Sequence, residues 1–119
     1  MMQYLTVFKV SDNSGCKMAE CIKIYKGFKF EIGSLILVNI KEAKHQKRIK
    51  KGTLVKGIIV RLRKKKSLNL GNCFSFSENA IVLVNSKTEL FGSRIFGPIP
   101  NSLRKRAFGK LLSLACSIV

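Results

Sequence analysis

The stretch "TLVKGIIVRLRKKK" (53–66) decides how the chain is read. From Ile58 onward apolar and basic residues alternate: Ile58, Val60 and Leu62 against Arg61 and Arg63. That is the period-two pattern of a strand with one buried face, and the β-branched density agrees with it. Upstream, Lys56 falls on the apolar side, so the register needs a reset, and a bulge at Gly57 is the expected place for it. Downstream, the strand runs into five basic residues among six, Arg61, Arg63, Lys64, Lys65 and Lys66, with only Leu62 between. A core strand therefore ends in a dense patch of like charge.

A second basic cluster precedes the same strand. "KHQKRIKKG" (44–52) carries Lys44, Lys47, Arg48, Lys50 and Lys51, together with the only histidine, His45, and closes at Gly52. Read as a loop, it lies at the opposite end of the strand from Arg61–Lys66. Twelve extended residues would separate the two clusters by roughly 40 Å. The chain has 119 residues, 46% of them hydrophobic, with 23 Lys and Arg against 6 Asp and Glu, for a formal net charge of +17. One domain with a real core is expected. So large an imbalance is self-repulsive, and a polyanion relieves it. Nucleic acid is the first candidate, met at its phosphates by the two clusters. The alternative is a basic protein that binds an anionic membrane surface.

Other segments read as β. "QYLTVFKV" (3–10) ends at the turn cluster "SDNSG" (11–15). "CKMAECIKIY" (16–25) is expected to set Met18, Ile22 and Ile24 on one face and Lys17 and Lys23 on the other. "SLILVNIKEA" (34–43) sets Ile36, Val38 and Ile40 opposite Asn39 and Lys41. "NCFSF" and "AIVLVN" (80–85) are two further strands, the latter apolar on both faces and so buried on both. Short strands joined by turns predict a closed or nearly closed barrel over about residues 1–86, because closure leaves no exposed edges. "FGSRIFGPIP" (91–100), with two glycines and two prolines, is expected to be irregular, and residues 101–119 to form short helical turns, giving an irregular and short-helical region over about 87–119. In "FGSRIFGP", Gly92 and Gly97 are expected in conformations costly to a Cβ-bearing residue. Ile95 and Phe96 would turn toward the barrel or a neighbour, and Ser93 and Arg94 outward.

Catalysis has little support. There is no HExxH, no phosphate-binding GxxxxGK[ST] loop, no GxSxG elbow, and no paired carboxylates. An enzyme is not expected, nor is a cofactor. The four cysteines, Cys16, Cys21, Cys73 and Cys116, include no CxxC pair, so no metal site is expected. An offset of five along one strand predicts that Cys16 and Cys21 point to opposite faces. The aromatics do not fall on one exposed face by pattern, which favours backbone and shape recognition over base reading. The apolar runs are too short for a membrane-spanning helix, and no leader is expected ahead of the first strand.

Three motifs coincide: "VSDNSGCK" (10–17), "KKGTLVKGIIVRLRKK" (50–65) and "GSRIFGPIPNSLRKRAFGKLLSLA" (92–115). Together with "CIKI" (21–24), "VNIKEA" (38–43) and "FSENAIVLVN" (76–85), in order along the chain, they resemble the universal large-subunit ribosomal protein family known as L-fourteen. The resemblance implies a single domain over 1–119, an all-β five-stranded barrel followed by short C-terminal helices, with no enzymatic activity. It also implies binding to large-subunit rRNA near the subunit interface and a bridge to small-subunit rRNA. Neighbouring ribosomal proteins of the L-three and L-nineteen types are implied too. So is docking of a ribosome-silencing or anti-association factor on a side that includes Ser93, Arg94, Lys110 and Ser113. Two loops depart from the family pattern. "KGFKFEIG" (26–33) is shorter than usual and keeps only Lys26 and Lys29 of its basic residues, and "SLNLGNC" (67–73) keeps only Gly71 of the usual hairpin. Lys outnumbers Arg 17 to 6, and Ile, Phe and Asn are frequent, all residues with A/T-rich codons. This composition points to an organelle-encoded protein of a mitochondrial ribosome, with a plastid or an A/T-rich bacterium as alternatives.

Overall fold

The computed structural model describes residues 7–25, 32–43, 49–63, 66–67, 73–74, 78–85, 89–100 and 115–118. Among these are nine strands: β1 (Val7–Val10), β2 (Cys16–Ile24), β3 (Leu35–Ala43), β4 (Leu54–Arg61), β5 (Lys66–Ser67), β6 (Cys73–Phe74), β7 (Ala80–Val84), β8 (Ile95–Ile99) and β9 (Ala115–Ile118). Five of them close a barrel in the order β1-β2-β3-β4-β7. The first four follow one another as antiparallel neighbours. β7 pairs antiparallel with β4 and parallel with β1, where Lys9 faces Ala80 and Val10 faces Ile81. β5 and β6 form a separate two-stranded sheet, and β8 pairs parallel with β9.

The barrel fills as the alternation in β3 predicts. Ile36, Val38 and Ile40 are fully buried, and register places Ile36 against Gly57 and Val38 against Val55. β7 is buried at all five positions, as its doubly apolar sequence requires. Gly57 is in regular register in β4 and carries no bulge. Its role is space: a Cβ there would lie 3.1 Å from Ile81 Cδ1 and 3.3 Å from the Val82 carbonyl oxygen. The β4 irregularity comes later, between Ile59 and Arg61.

Strand β2 departs most from simple alternation. Its pairing with β3 shifts register three times, between Cys16 and Met18, Met18 and Ala19, and Cys21 and Lys23. As a result Cys16, Ala19 and Cys21 face the core, while Ile22 stays exposed. The two cysteines do not point to opposite faces, because extra residues between them undo the parity of an offset of five. Both are free thiols.

The "FGSRIFGPIP" segment is also more regular than its glycines and prolines predict. Ile95–Ile99 is a strand, with Pro98 opposite Ser117 and Ile99 opposite Ile118. Proline is compatible with this two-stranded ribbon because it lacks only the donor, and its carbonyl remains available. Residues 115–118 are extended where helical turns were expected. The helices expected within 101–114 lie outside the described residues.

Candidate nucleic-acid interface and its interior clamp

The exposed members of the two basic clusters among the described residues lie beyond opposite ends of β4. Before the strand, Lys50 and Lys51 are exposed on a turn that is pinned to the end of β3. Gly52 N–H donates to the Ile40 carbonyl (2.8 Å), Ile40 N–H to the Thr53 carbonyl (3.0 Å), and Thr53 N–H to the Lys50 carbonyl (3.2 Å). Gly52 has φ +89°, so the turn needs glycine for its backbone alone, since a Cβ there would meet nothing within 4 Å. Lys44, Lys47 and Arg48 lie outside the described residues.

Beyond the strand, Leu62 is buried and Arg63 is exposed, its N–H donating to Asn79 Oδ1 (2.8 Å). Lys66 begins β5; its side chain, like Lys64 and Lys65, lies outside the described residues. β4 has eight residues rather than twelve, so the strand itself spans about 26 Å at the usual rise.

Arg61, expected among the outward phosphate contacts, is instead inside the protein, with 4% of its surface exposed. Its Nη1 donates to the carbonyls of Phe96 (2.9 Å) and Pro98 (3.1 Å). Its Nη2 donates to Ser11 Oγ (3.1 Å) and Glu78 Oε1 (3.1 Å). Burial pulls the guanidinium pKa down, and Glu78 pushes it back up by charge and hydrogen bonding. Arginine keeps its proton throughout, so this is a buried cation held by one half-exposed carboxylate and three neutral acceptors. Lys9 shares that carboxylate at 3.6 Å. The cause of the inward turn is local. The register shift at Ile59/Arg61 breaks the alternation, and β8 covers this end of β4 and offers its carbonyls.

A second arrangement orients the loop that carries Ser93 and Arg94. Asn13 Oδ1 accepts from the backbone N–H groups of Ser93 (2.8 Å) and Arg94 (3.2 Å), and Asn13 Nδ2 donates to Ser93 Oγ (3.1 Å). Beneath it, buried Asp12 accepts from Ser14 N–H and Oγ and, with its other oxygen, from Leu83 N–H in β7 (3.0 Å). Gly92 is required here by close approach: a Cβ would lie 2.6 Å from Asn13 Oδ1. Ser93 and Arg94 are exposed and Ile95 is buried, as expected; of the two directions expected for Phe96, its 49% exposure rules out the barrel, and its backbone is tied in by its N–H to the Ser11 carbonyl (2.6 Å) and by its carbonyl to Arg61. Lys110 and Ser113 lie outside the described residues. The sequence shows "SDNSG" as a turn cluster and as part of the motif "VSDNSGCK", but not that Asn13 organises a loop 80 residues away; an Asp-Asn pair at a turn is the one signal it offers.

Among the described residues no group of three or more His, Cys, Asp or Glu side chains could hold a metal ion. The buried polar chemistry instead binds segments of the chain to one another. The class defined by this geometry is a small basic barrel whose buried polar groups are structural and whose charge is offered outward at loop ends. The model of the family described as ribosomal protein L14p/L23e matches residues 1–119. The chain belongs to that family, whose members are structural, non-enzymatic proteins of the large ribosomal subunit.

Proposed function

We propose that the chain binds large-subunit rRNA through the loop ends of β4 and presents the 93–94 loop across the subunit interface. The observation that carries this reading is that one rigid strand holds Lys50 and Lys51 at one end and Arg63 at the other, all exposed. Two separated stretches of phosphate backbone then fix the orientation of a single domain. Lys44, Lys47, Arg48, Lys64, Lys65 and Lys66 extend the same two clusters in sequence. Arg61 is set apart from them as the clamp behind the surface.

In this reading Ser93 and Arg94, with Lys110 and Ser113, face the small-subunit rRNA bridge and the site of an anti-association or silencing factor. L-three-type and L-nineteen-type proteins are the neighbours. The Lys-rich, A/T-biased composition supports a mitochondrial ribosome as the location. The experiment is sedimentation of the tagged chain in sucrose gradients of mitochondrial and cytosolic lysates. Co-migration with mitochondrial large subunits is expected; recovery only in RNA-free fractions would overturn the reading.

A further inference from the structure

On the wall of the barrel, beside the turn that carries Lys50 and Lys51, basic and aromatic side chains meet in a way the sequence pattern did not reveal. Lys23 in β2 pairs with Leu37 in β3, Leu37 with Lys56 in β4, and Lys56 with Val84 in β7. Directly opposed residues share a face, so these four form one row across four strands. Tyr25, just past β2, is tied to the sheet by its N–H to the Leu35 carbonyl (3.2 Å). Its ring centroid lies 5.3 Å from the Lys23 ammonium and 5.1 Å from the Lys56 ammonium. Both distances are within cation–π range. Two cations are thus gathered on one ring.

Leu37, Lys56 and Val84 of this row line a cleft of about 400 Å³, the size of a pocket for a small organic group, and Lys23 meets it through the Tyr25 ring. Tyr25, Phe91, Leu37, Leu54 and Lys56 line it, and Leu54 is 59% exposed. No carboxylate is among its described lining residues. A basic protein partner would add to the repulsion between Lys23 and Lys56 within a chain of net charge +17, whereas a phosphate relieves it. A phosphate alone leaves the apolar wall unused, and a base-paired duplex has no free base to insert. Aromatic and apolar surface beside paired lysines matches the chemistry of an unpaired nucleotide.

We propose that this cleft takes one unpaired ribonucleotide of RNA, its phosphate between Lys23 and Lys56 and its base against Leu54 and Phe91. The proposal rests on the RNA-binding reading above and adds a contact that grips a base. The test uses the full chain and two fluorescein-labelled single-stranded octamers, one of uridylate and one abasic with the same phosphates. The uridylate octamer binds roughly ten-fold or more tightly than the abasic one, since stacking adds that much per base. Lys23→Ala with Lys56→Ala makes the log–log salt slope shallower by about 0.7, the single-strand coefficient for the one phosphate they share. Leu54→Glu, at an exposed position, removes the preference for bases while circular dichroism stays native.

Equal affinity for the two octamers, or an unchanged salt slope, overturns the proposal. Equal displacement by an oligoglutamate of the same charge also overturns it, in favour of an acidic protein partner. The parent reading is scored separately by binding to folded large-subunit rRNA and its sensitivity to Lys50→Ala with Lys51→Ala. Persistence of that sensitivity leaves the parent reading standing when the cleft fails.

Discussion

The guanidinium of Arg61 occupies the space that a Cβ on residue 97 would need, with Nη1 the first atom such a carbon would meet. Gly97 also has φ +80°, a conformation that L side chains rarely adopt. One glycine thus satisfies two requirements: a left-handed backbone between two carbonyls that both accept from Arg61, and room for the guanidinium between them. Gly97→Val should therefore destabilise the domain by about 2–4 kcal/mol, combining backbone strain with displacement of a buried cation. The midpoint of urea unfolding measures it, and a loss below about 0.5 kcal/mol would show that the segment accommodates a side chain freely.

Arg61 and Arg63 stand two residues apart and should behave oppositely. Arg61→Leu leaves the Phe96 and Pro98 carbonyls and Ser11 Oγ without their donor, at a cost of about 2–4 kcal/mol, Glu78 being half-exposed and able to rehydrate. It should also speed tryptic cleavage after Arg94, because β8 loses its anchor. Arg63→Ala should leave stability within about 0.5 kcal/mol. If Arg63 contacts phosphate, its loss should make the RNA-binding salt slope shallower by roughly 0.7–0.9. The reverse pattern would return Arg61 to the surface and put Arg63 in the scaffold.

Arg94→Ala tests the presented loop. Its backbone N–H is held by Asn13, so the side chain can be removed without releasing the loop, and stability should stay within about 0.5 kcal/mol. Subunit joining or factor docking, read by sedimentation, should weaken. Asn13→Ala should reproduce that loss with Arg94 intact, since it frees both N–H groups at once. Normal docking by both variants would remove this loop from the interface.

Asp12→Ala should be more damaging than its turn position implies. It orphans the Leu83 N–H inside the barrel, and an unsatisfied buried donor costs about 1–3 kcal/mol. Slower exchange at the Leu83 amide in the wild type than in the variant would locate the effect.

Burial pushes the Cys16 and Cys21 thiols up; for Cys16 a Ser14 hydrogen bond opposes this and the Asp12 charge adds to it, and for Cys21 a backbone hydrogen bond at Lys23 opposes it. The folded protein therefore keeps protons that the unfolded chain has begun to release. This contribution is full below the ordinary thiol range and is lost as pH rises through the raised values, so stability should fall from about pH 8.5 upward. Cys16→Ala with Cys21→Ala should flatten that slope whatever it does to the absolute stability. An identical slope would assign the alkaline loss to other groups.

The barrel was legible because β3 and β7 show their burial in the sequence: Ile36, Val38 and Ile40 alternate, and "AIVLV" has no polar face. Strand β2 was misread because its three register shifts arise from pairing with β3, and parity counted along one strand cannot see them. Arg61 was misread for a related reason. Its neighbours Arg63 to Lys66 make it look like the start of a charged arm, while its actual partners are carbonyls 35 and 37 residues away. The Lys23–Tyr25–Lys56 cluster was invisible because Lys56 comes from β4 and meets the other two only through barrel register. The outward exposure of Ser93 and Arg94 was legible in a glycine- and proline-rich motif, but the side chain that holds their backbone, Asn13, lies 80 residues earlier in the chain.

The parallel pairing of β1 with β7 sets the order in which the protein can be completed. β1 finds β2 at once, yet its other edge waits for residues 80–81, some seventy positions later, and β4 waits for the same strand. On a chain emerging from its N-terminus, the barrel stays an open sheet with two unpaired edges until Val84 has been made. Such long-range closure is slow compared with hairpin formation. Release of nascent chains truncated before residue 80 should yield aggregation-prone products, and extension past β7 should abruptly confer protease resistance. A protein of this charge would then reach RNA as a closed, rigid part, with its first strand the last to be sealed.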